Sequence, residues 1–160
     1  MKRRVYIETS VISYLTARPS KSIIGAAHQQ ITSEWWDKRN NYELFVSELV
    51  LRERAAGDSN AAQRRLEIVQ GIPLLIATEE SYQLADTLLK KGIIPAKAAE
   101  DSLHIAIATI HSVDYLLTWN CKHIANPELQ RKIMDYLMEQ GKFLPFVCAP
   151  EELLGEENHD

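Results

Sequence analysis

The sequence predicts an α/β protein, a three-layer α/β/α sandwich built on a parallel sheet of roughly five strands. Three observations predict it. Five short apolar runs recur along the chain, largely without polar–apolar alternation, as parallel strands covered on both faces require. Segments of helical pattern separate these runs, and strands alternating with helices close right-handed crossovers. A length of 160 residues, 46% hydrophobic and 25% charged, suits one globular domain.

The first strand is read over residues 4–7 (Arg4-Val-Tyr-Ile7), and a helix of four or five turns over 22–39. The second strand spans 44–47, followed by helical stretches at 48–56 and 60–70 that Gly57-Asp-Ser separates. The third strand is 74–77. The helix over 79–91 ends at Lys90-Lys-Gly92, basic residues followed by a glycine that can terminate it. Residues 97–111 place Leu103, Ala106, Ile107 and Ile110 on one helical face, and the fourth strand follows at 115–118. Asn126-Pro127 opens another helix as cap and first turn, and Gly141 closes it. The fifth strand, 144–147, contains Pro145, which cannot donate to a ladder and so belongs at a sheet edge. One domain over 1–154 is expected, with an acidic, disordered tail over 155–160. No internal repeat or low-complexity stretch interrupts it.

Several classes are excluded. No apolar run approaches the roughly 20 residues that cross a bilayer, so no membrane association is expected. Glu8 breaks the apolar stretch behind the basic start, which is therefore no signal peptide. Cys121 and Cys148 lack CxxC spacing and suit a reducing cytoplasm better than a disulfide framework. Eighteen basic and 22 acidic residues give a net charge of −4, without the overall positive field of a free-standing nucleic-acid binder. The imbalance is local: residues 1–80 carry +1 and residues 81–160 carry −5. Neither GxGxxG nor GxxxxGK[ST] occurs, so nucleotide-binding folds of those kinds are out. A phospho-receiver domain needs an acceptor Asp after its third strand, where this chain has Thr78-Glu79-Glu80.

In open parallel sheets ligands gather beyond the carboxyl ends of the strands. Glu8-Thr9-Ser10 follows the first strand, Ser47-Glu48 the second, and Thr118-Trp119-Asn120 the fourth. Asp101 joins them by geometry. Only Ser112-Val113-Asp114 separates its helix from the fourth strand, so that helix runs antiparallel to the strand. Eleven residues back from Ser112 span roughly 16 Å at about 1.5 Å each. The strand climbs roughly 13 Å at about 3.3 Å per residue, which brings Asp101 level with Thr118–Asn120. Two like charges about 4 Å apart repel by about 4 kcal/mol at an effective dielectric of 20. Protonation or a cation would relieve that repulsion, and oxygen ligands favour Mg²⁺ or Mn²⁺ over zinc.

Each residue also has a plain structural use. Glu8, Glu48 and Asp101 are each suited to a helix start, and Asn120 to a turn. Their shared edge is what points to a site. His104, one turn after Asp101, reads first as a buried, satisfied histidine that supports the acid. A zinc site from His104, Cys121 and His123 lacks a fourth ligand. Trp35 and Trp36 are adjacent in the long helix, so one is at least partly exposed and hints at a partner or dimer surface.

Four segments in order, Val5-Tyr-Ile-Glu-Thr-Ser-Val-Ile-Ser-Tyr-Leu15, Phe45-Val-Ser-Glu-Leu-Val50, Ala99-Glu-Asp-Ser-Leu-His-Ile-Ala-Ile-Ala108 and Asp114-Tyr-Leu-Leu-Thr-Trp-Asn120, resemble the PIN-domain family. Within it they are most similar to the VapC-like toxin ribonucleases of toxin–antitoxin pairs. The resemblance implies an α/β/α sandwich, an acidic metal cluster, Mg²⁺- or Mn²⁺-dependent hydrolysis of RNA, homodimers and a small antitoxin partner. Glu8, Glu48 and Asp101 would then carry the metal, with Asn120 as auxiliary ligand or water-positioner. Thr9, Ser10, His104 and Thr118 would support them, and early Arg and Lys residues would hold the RNA backbone. Two departures stand out. Glu8 replaces the family's usual Asp, and Asn120 replaces an acid. They open weaker metal affinity, a preference for Mn²⁺, or loss of activity, the last leaving a PIN-like module that binds RNA or a protein without cutting.

Overall fold

A computed structural model describes residues 1–52 and 59–155. Its strands are β1 (Arg3–Ile7), β2 (Tyr42–Ser47), β3 (Leu74–Leu75), β4 (Tyr115–Leu117) and β5 (Phe146–Cys148). The helices described are α1 (Thr9–Thr16), α2 (Ile23–Asp37), α3 (Glu48–Arg52), α4 (Ser59–Val69), α5 (Glu79–Lys90), α6 (Ala99–Ile110), α7 (Pro127–Glu139) and α8 (Pro150–Leu154). All strand pairs are parallel, in the order β3-β2-β1-β4-β5. The predicted three-layer α/β/α sandwich is the observed architecture, and the strand carrying Pro145 just before it lies at an edge. Of the expected break at 57–59, residues 57 and 58 lie outside the described residues, as do residues 156–160 of the expected tail.

Successive side chains of a strand point to opposite faces, and here each face has its own core. Val5, Ile7, Val46 and Leu117 pack with Val11, Ile12, Trp35 and Val69, the layer of α1, α2 and α4. Tyr6, Phe45 and Leu116 pack with Leu88, Ile105, Ile107 and Ile133, the layer of α5, α6 and α7. Local signals set the helix ends. Asn126 caps α7 by accepting from Leu129 N, with Pro127 in the first turn, and Gly92 and Gly141 follow their helices at positive φ. Two helices were not anticipated. α1 is rich in β-branched residues, and α8 is a single short turn in which Glu152 accepts from Ala149 N. Trp35 is fully buried, and Trp36 is half-buried beneath the Arg39 guanidinium, 4.6 Å from its ring. Trp35 thus belongs to the core, and Trp36 keeps part of its surface exposed. Among the described residues no helix is long and apolar enough to cross a membrane.

The strand order fixes where a site belongs. From β1 the chain moves outward through β2 to β3, then returns to add β4 and β5 on the opposite side of β1. The direction of winding therefore reverses between β1 and β4. Helices leave that crevice on opposite faces, opening it at the carboxyl ends of the two strands.

Candidate functional site

Ile7 pairs with Leu117, so the next residues, Glu8 and Thr118, leave the sheet side by side at the reversal point. Glu8 is the N-cap of α1, with extended backbone at φ −82° and ψ 160°. Its carboxylate accepts three hydrogen bonds: from Thr118 Oγ1 at 2.5 Å, Ser10 Oγ at 2.6 Å and Ser10 N at 3.1 Å. Both hydroxyls are themselves held. Ser10 Oγ accepts from Trp119 N at 2.8 Å, and Thr118 Oγ1 accepts from Asn120 N at 2.9 Å. The acid is only 4% exposed, so these bonds replace most of its water.

Asp101 comes from the first turn of α6 and meets Asn120, whose Nδ2 donates to Asp101 Oδ1 at 3.1 Å. The rise-per-residue estimate therefore levels the two correctly. Partial burial holds the Asp101 carboxyl above its ordinary range, and the negative charge of Glu8 pushes the same way. His104, His123 and the Asn120 hydrogen bond offset part of that shift. Glu8, Asp101 and Asn120 line one cavity of about 1020 Å³, together with Thr9 and Ser10.

Two expectations need correction. Glu48 is exposed at the start of α3 and is not among the described residues lining the cavity. The residues of α3 that line the cavity are Leu49 and Arg52, and Glu48 precedes Arg52 by four residues, within about 40° of it around the helix. Asn120 also differs from its expected part. Its Oδ1 accepts from the backbone N–H of Lys122 (3.2 Å) and His123 (3.0 Å), which turns donor hydrogens rather than oxygen toward Asp101. Among the described residues no three His, Cys, Asp or Glu side chains are grouped to hold an ion.

The supporting residues form a second tier. His104 is 1% exposed, with Nδ1 at 2.6 Å from the Tyr6 hydroxyl, which lies 2.7 Å from Ser47 Oγ. Its Nε2 is 3.4 Å from Thr9 Oγ1. His104 is thus the buried, hydrogen-bonded histidine expected, and it braces Thr9 from beneath the cavity floor. Reading strand exits alone missed Ser13, Tyr14, Ala17, Arg52 and Glu100, which also line the cavity. A signal was there to find. Ser10, Ser13, Tyr14 and the C-cap Ala17 recur at i, i+3, i+4 and i+7, a polar and small-residue face opposite the apolar Val11, Ile12 and Leu15.

The donor set decides what ion it suits. Glu8 Oε1 is filled by two hydroxyls, while Oε2 accepts one backbone N–H and keeps a lone-pair direction. Asp101 accepts its one described hydrogen bond at Oδ1. Two carboxylates of this kind fit a hard divalent ion that retains most of its water. They suit zinc less well, whose sites are built mainly on His nitrogen and Cys sulfur.

No protein-family model matches the chain, and no curated protein or solved structure matches it.

Proposed function

We propose that the chain is a metal-dependent endoribonuclease, hydrolysing RNA phosphodiester bonds at the crevice between β1 and β4. One observation carries the reading: two carboxylates from distant segments, Glu8 and Asp101, face one cavity at the winding reversal of a parallel sheet, close enough for one charge to raise the other's pKa. The resemblance of the four segments to PIN domains supports the same assignment, and two unpaired cysteines are consistent with a reducing cytoplasm.

Glu8 and Asp101 are the residues that would hold Mg²⁺ or Mn²⁺. Such an ion, when bound, supplies an activated water and charge stabilisation for the departing oxygen. Ser10 and Thr118 lock the Glu8 carboxylate in place, and Asn120 does so for Asp101. Arg52 brings positive charge to the same cavity, where it favours a backbone phosphate over a neutral ligand. The toxin assignment, with its antitoxin partner and homodimer, rests on the resemblance alone.

A second reading has its own support. Asn120 offers Asp101 a hydrogen-bond donor where the family's pattern has an acid, and Glu48 stands apart. The first feature suits a module that binds RNA without cutting it. Purified protein incubated with mixed RNAs, with and without Mn²⁺, separates the two. The nuclease reading expects Mn²⁺-dependent fragments that fall at least about 100-fold in Asp101→Asn and Glu8→Gln. Equal cleavage by parent and variants would show a contaminant and overturn the assignment. RNA binding with no cleavage at any Mn²⁺ concentration would establish the module.

A further inference from the structure

Beside the two acids lies an aromatic cluster that the proposed chemistry leaves unused. The His28 and Trp119 rings stack with centroids 4.0 Å apart and planes 16° from parallel. Tyr14 stands nearly perpendicular to both, 5.5 Å from His28 and 6.1 Å from Trp119. Those similar distances place Tyr14 alongside the stack. A ring capping one end would be about one stacking distance farther from the other member.

One polar atom of each ring is tied into the protein. Trp119 Nε1 donates to Thr32 Oγ1 at 2.9 Å, and Thr32 Oγ1 donates to the His28 carbonyl at 2.6 Å. His28 Nδ1 lies 3.3 Å from the Tyr14 hydroxyl. Thr32 and Trp35, on the same helix as His28, are fully buried, whereas Tyr14, His28 and Trp119 each stay part-exposed. Tyr14 and Trp119 line the cavity of the acid pair. Ser10 fixes the spacing, since one hydroxyl donates to Glu8 and accepts from Trp119 N.

We infer that Tyr14, His28 and Trp119 form a subsite that stacks an unpaired nucleobase next to the acid pair. The inference rests on the nuclease reading for the identity of the ligand. Aromatic side chains bind splayed-out bases through their π-faces with little sequence preference, and a paired base in an A-form duplex cannot reach such a site. Arg52, in the same cavity, is available to the phosphate of the stacked nucleotide.

The test is binding without turnover, in EDTA, of fluorescein-labelled 12-mer oligoadenylate against an abasic ribose-phosphate 12-mer and a 12-base-pair RNA duplex. The parent is expected to favour the oligoadenylate over both. Tyr14→Leu and His28→Leu should each weaken oligoadenylate binding about 5- to 100-fold and leave the abasic chain unchanged, while Tyr14→Phe keeps parental affinity. Tryptophan emission of the parent, quenched by oligoadenylate and not by the abasic chain, gives a readout that needs no variant. Equal affinity of the parent for base-bearing and abasic chains, with no quenching, overturns the subsite and leaves the nuclease reading standing. Failure of the parent to bind or cleave any RNA overturns both.

Discussion

Thr118 is the residue through which the acid site is most exposed to a single-atom test. It is fully buried, its Oγ1 donates to Glu8 Oε1 at 2.5 Å, and the same oxygen accepts from Asn120 N at 2.9 Å. Thr118→Val keeps the shape and deletes both bonds. A hydrogen bond to a charged group contributes about 1.5–3 kcal/mol and a neutral one about 0.5–1.5 kcal/mol, so the loss should come to about 2–4 kcal/mol. Thr118→Ser keeps the hydroxyl and removes one buried methyl, a loss of about 1 kcal/mol. For a chain of this length each kcal/mol moves the melting temperature by about 2–4 °C. Thermal unfolding followed by circular dichroism should therefore show a fall of about 4–16 °C for Thr118→Val and about 2–4 °C for Thr118→Ser. Equal falls in the two variants would mean that the methyl, not the hydroxyl, matters there. The account of how Glu8 is held would then be wrong.

Two further outcomes follow from the titrating groups. The folded chain holds the Asp101 proton more tightly than the unfolded chain does, so its stabilising effect is complete below the ordinary value of 3.8 and is lost as pH rises through the folded-state value. Asp101→Asn should therefore raise the melting temperature at pH 7, with the gain vanishing toward about pH 4; a variant less stable than the parent at pH 7 would refute this. Burial pushes the Cys148 thiol up to about 12, the charge of Glu152 adding to it, whereas Cys121 is exposed. A chromogenic disulfide reagent at pH 8 should titrate one thiol promptly and the second only after denaturation, and two thiols reacting together would contradict the burial of Cys148.

The fold was legible because burial on both faces of a parallel strand leaves a continuous apolar run, a signal that needs no partner to be read. The third run failed at its end. Ile76 is exposed, so the ladder stops at Leu75 although Ile76 and Ala77 continue the apolar stretch. Asp101 was legible because its height depends only on rise per residue, which varies little between helices. The place of Glu48 was not, since which residues of α3 reach the cavity depends on how that helix leaves β2, which no spacing in the sequence fixes. The part played by Asn120 was beyond reach for another reason. Which end of its amide faces Asp101 is set by the turn at 120–123, whose two N–H groups claim the oxygen. Nothing in the residue type favours one end over the other.

Clustered acids need compensation, by protonation or by a cation, and the fold supplies part of it in another way. Glu8 caps the N-terminus of α1 and Asp101 lies in the first turn of α6, so the positive end of a helix dipole backs each carboxylate. Three donors on Glu8 and one on Asp101 supply further compensation. Arg52 lines the same cavity, where Glu100 adds a third carboxylate, and Glu48 is exposed at the start of α3. The pair can therefore stay folded without an ion. The same donors lower the negative potential an incoming cation would feel, and Asn120 supplies no charge of its own. On the proposed nuclease reading, an ion at this site would be held by carboxylates already engaged elsewhere, so part of its affinity would come from the phosphate that arrives with the RNA. Metal and substrate binding would then be coupled, each strengthening the other by reciprocity.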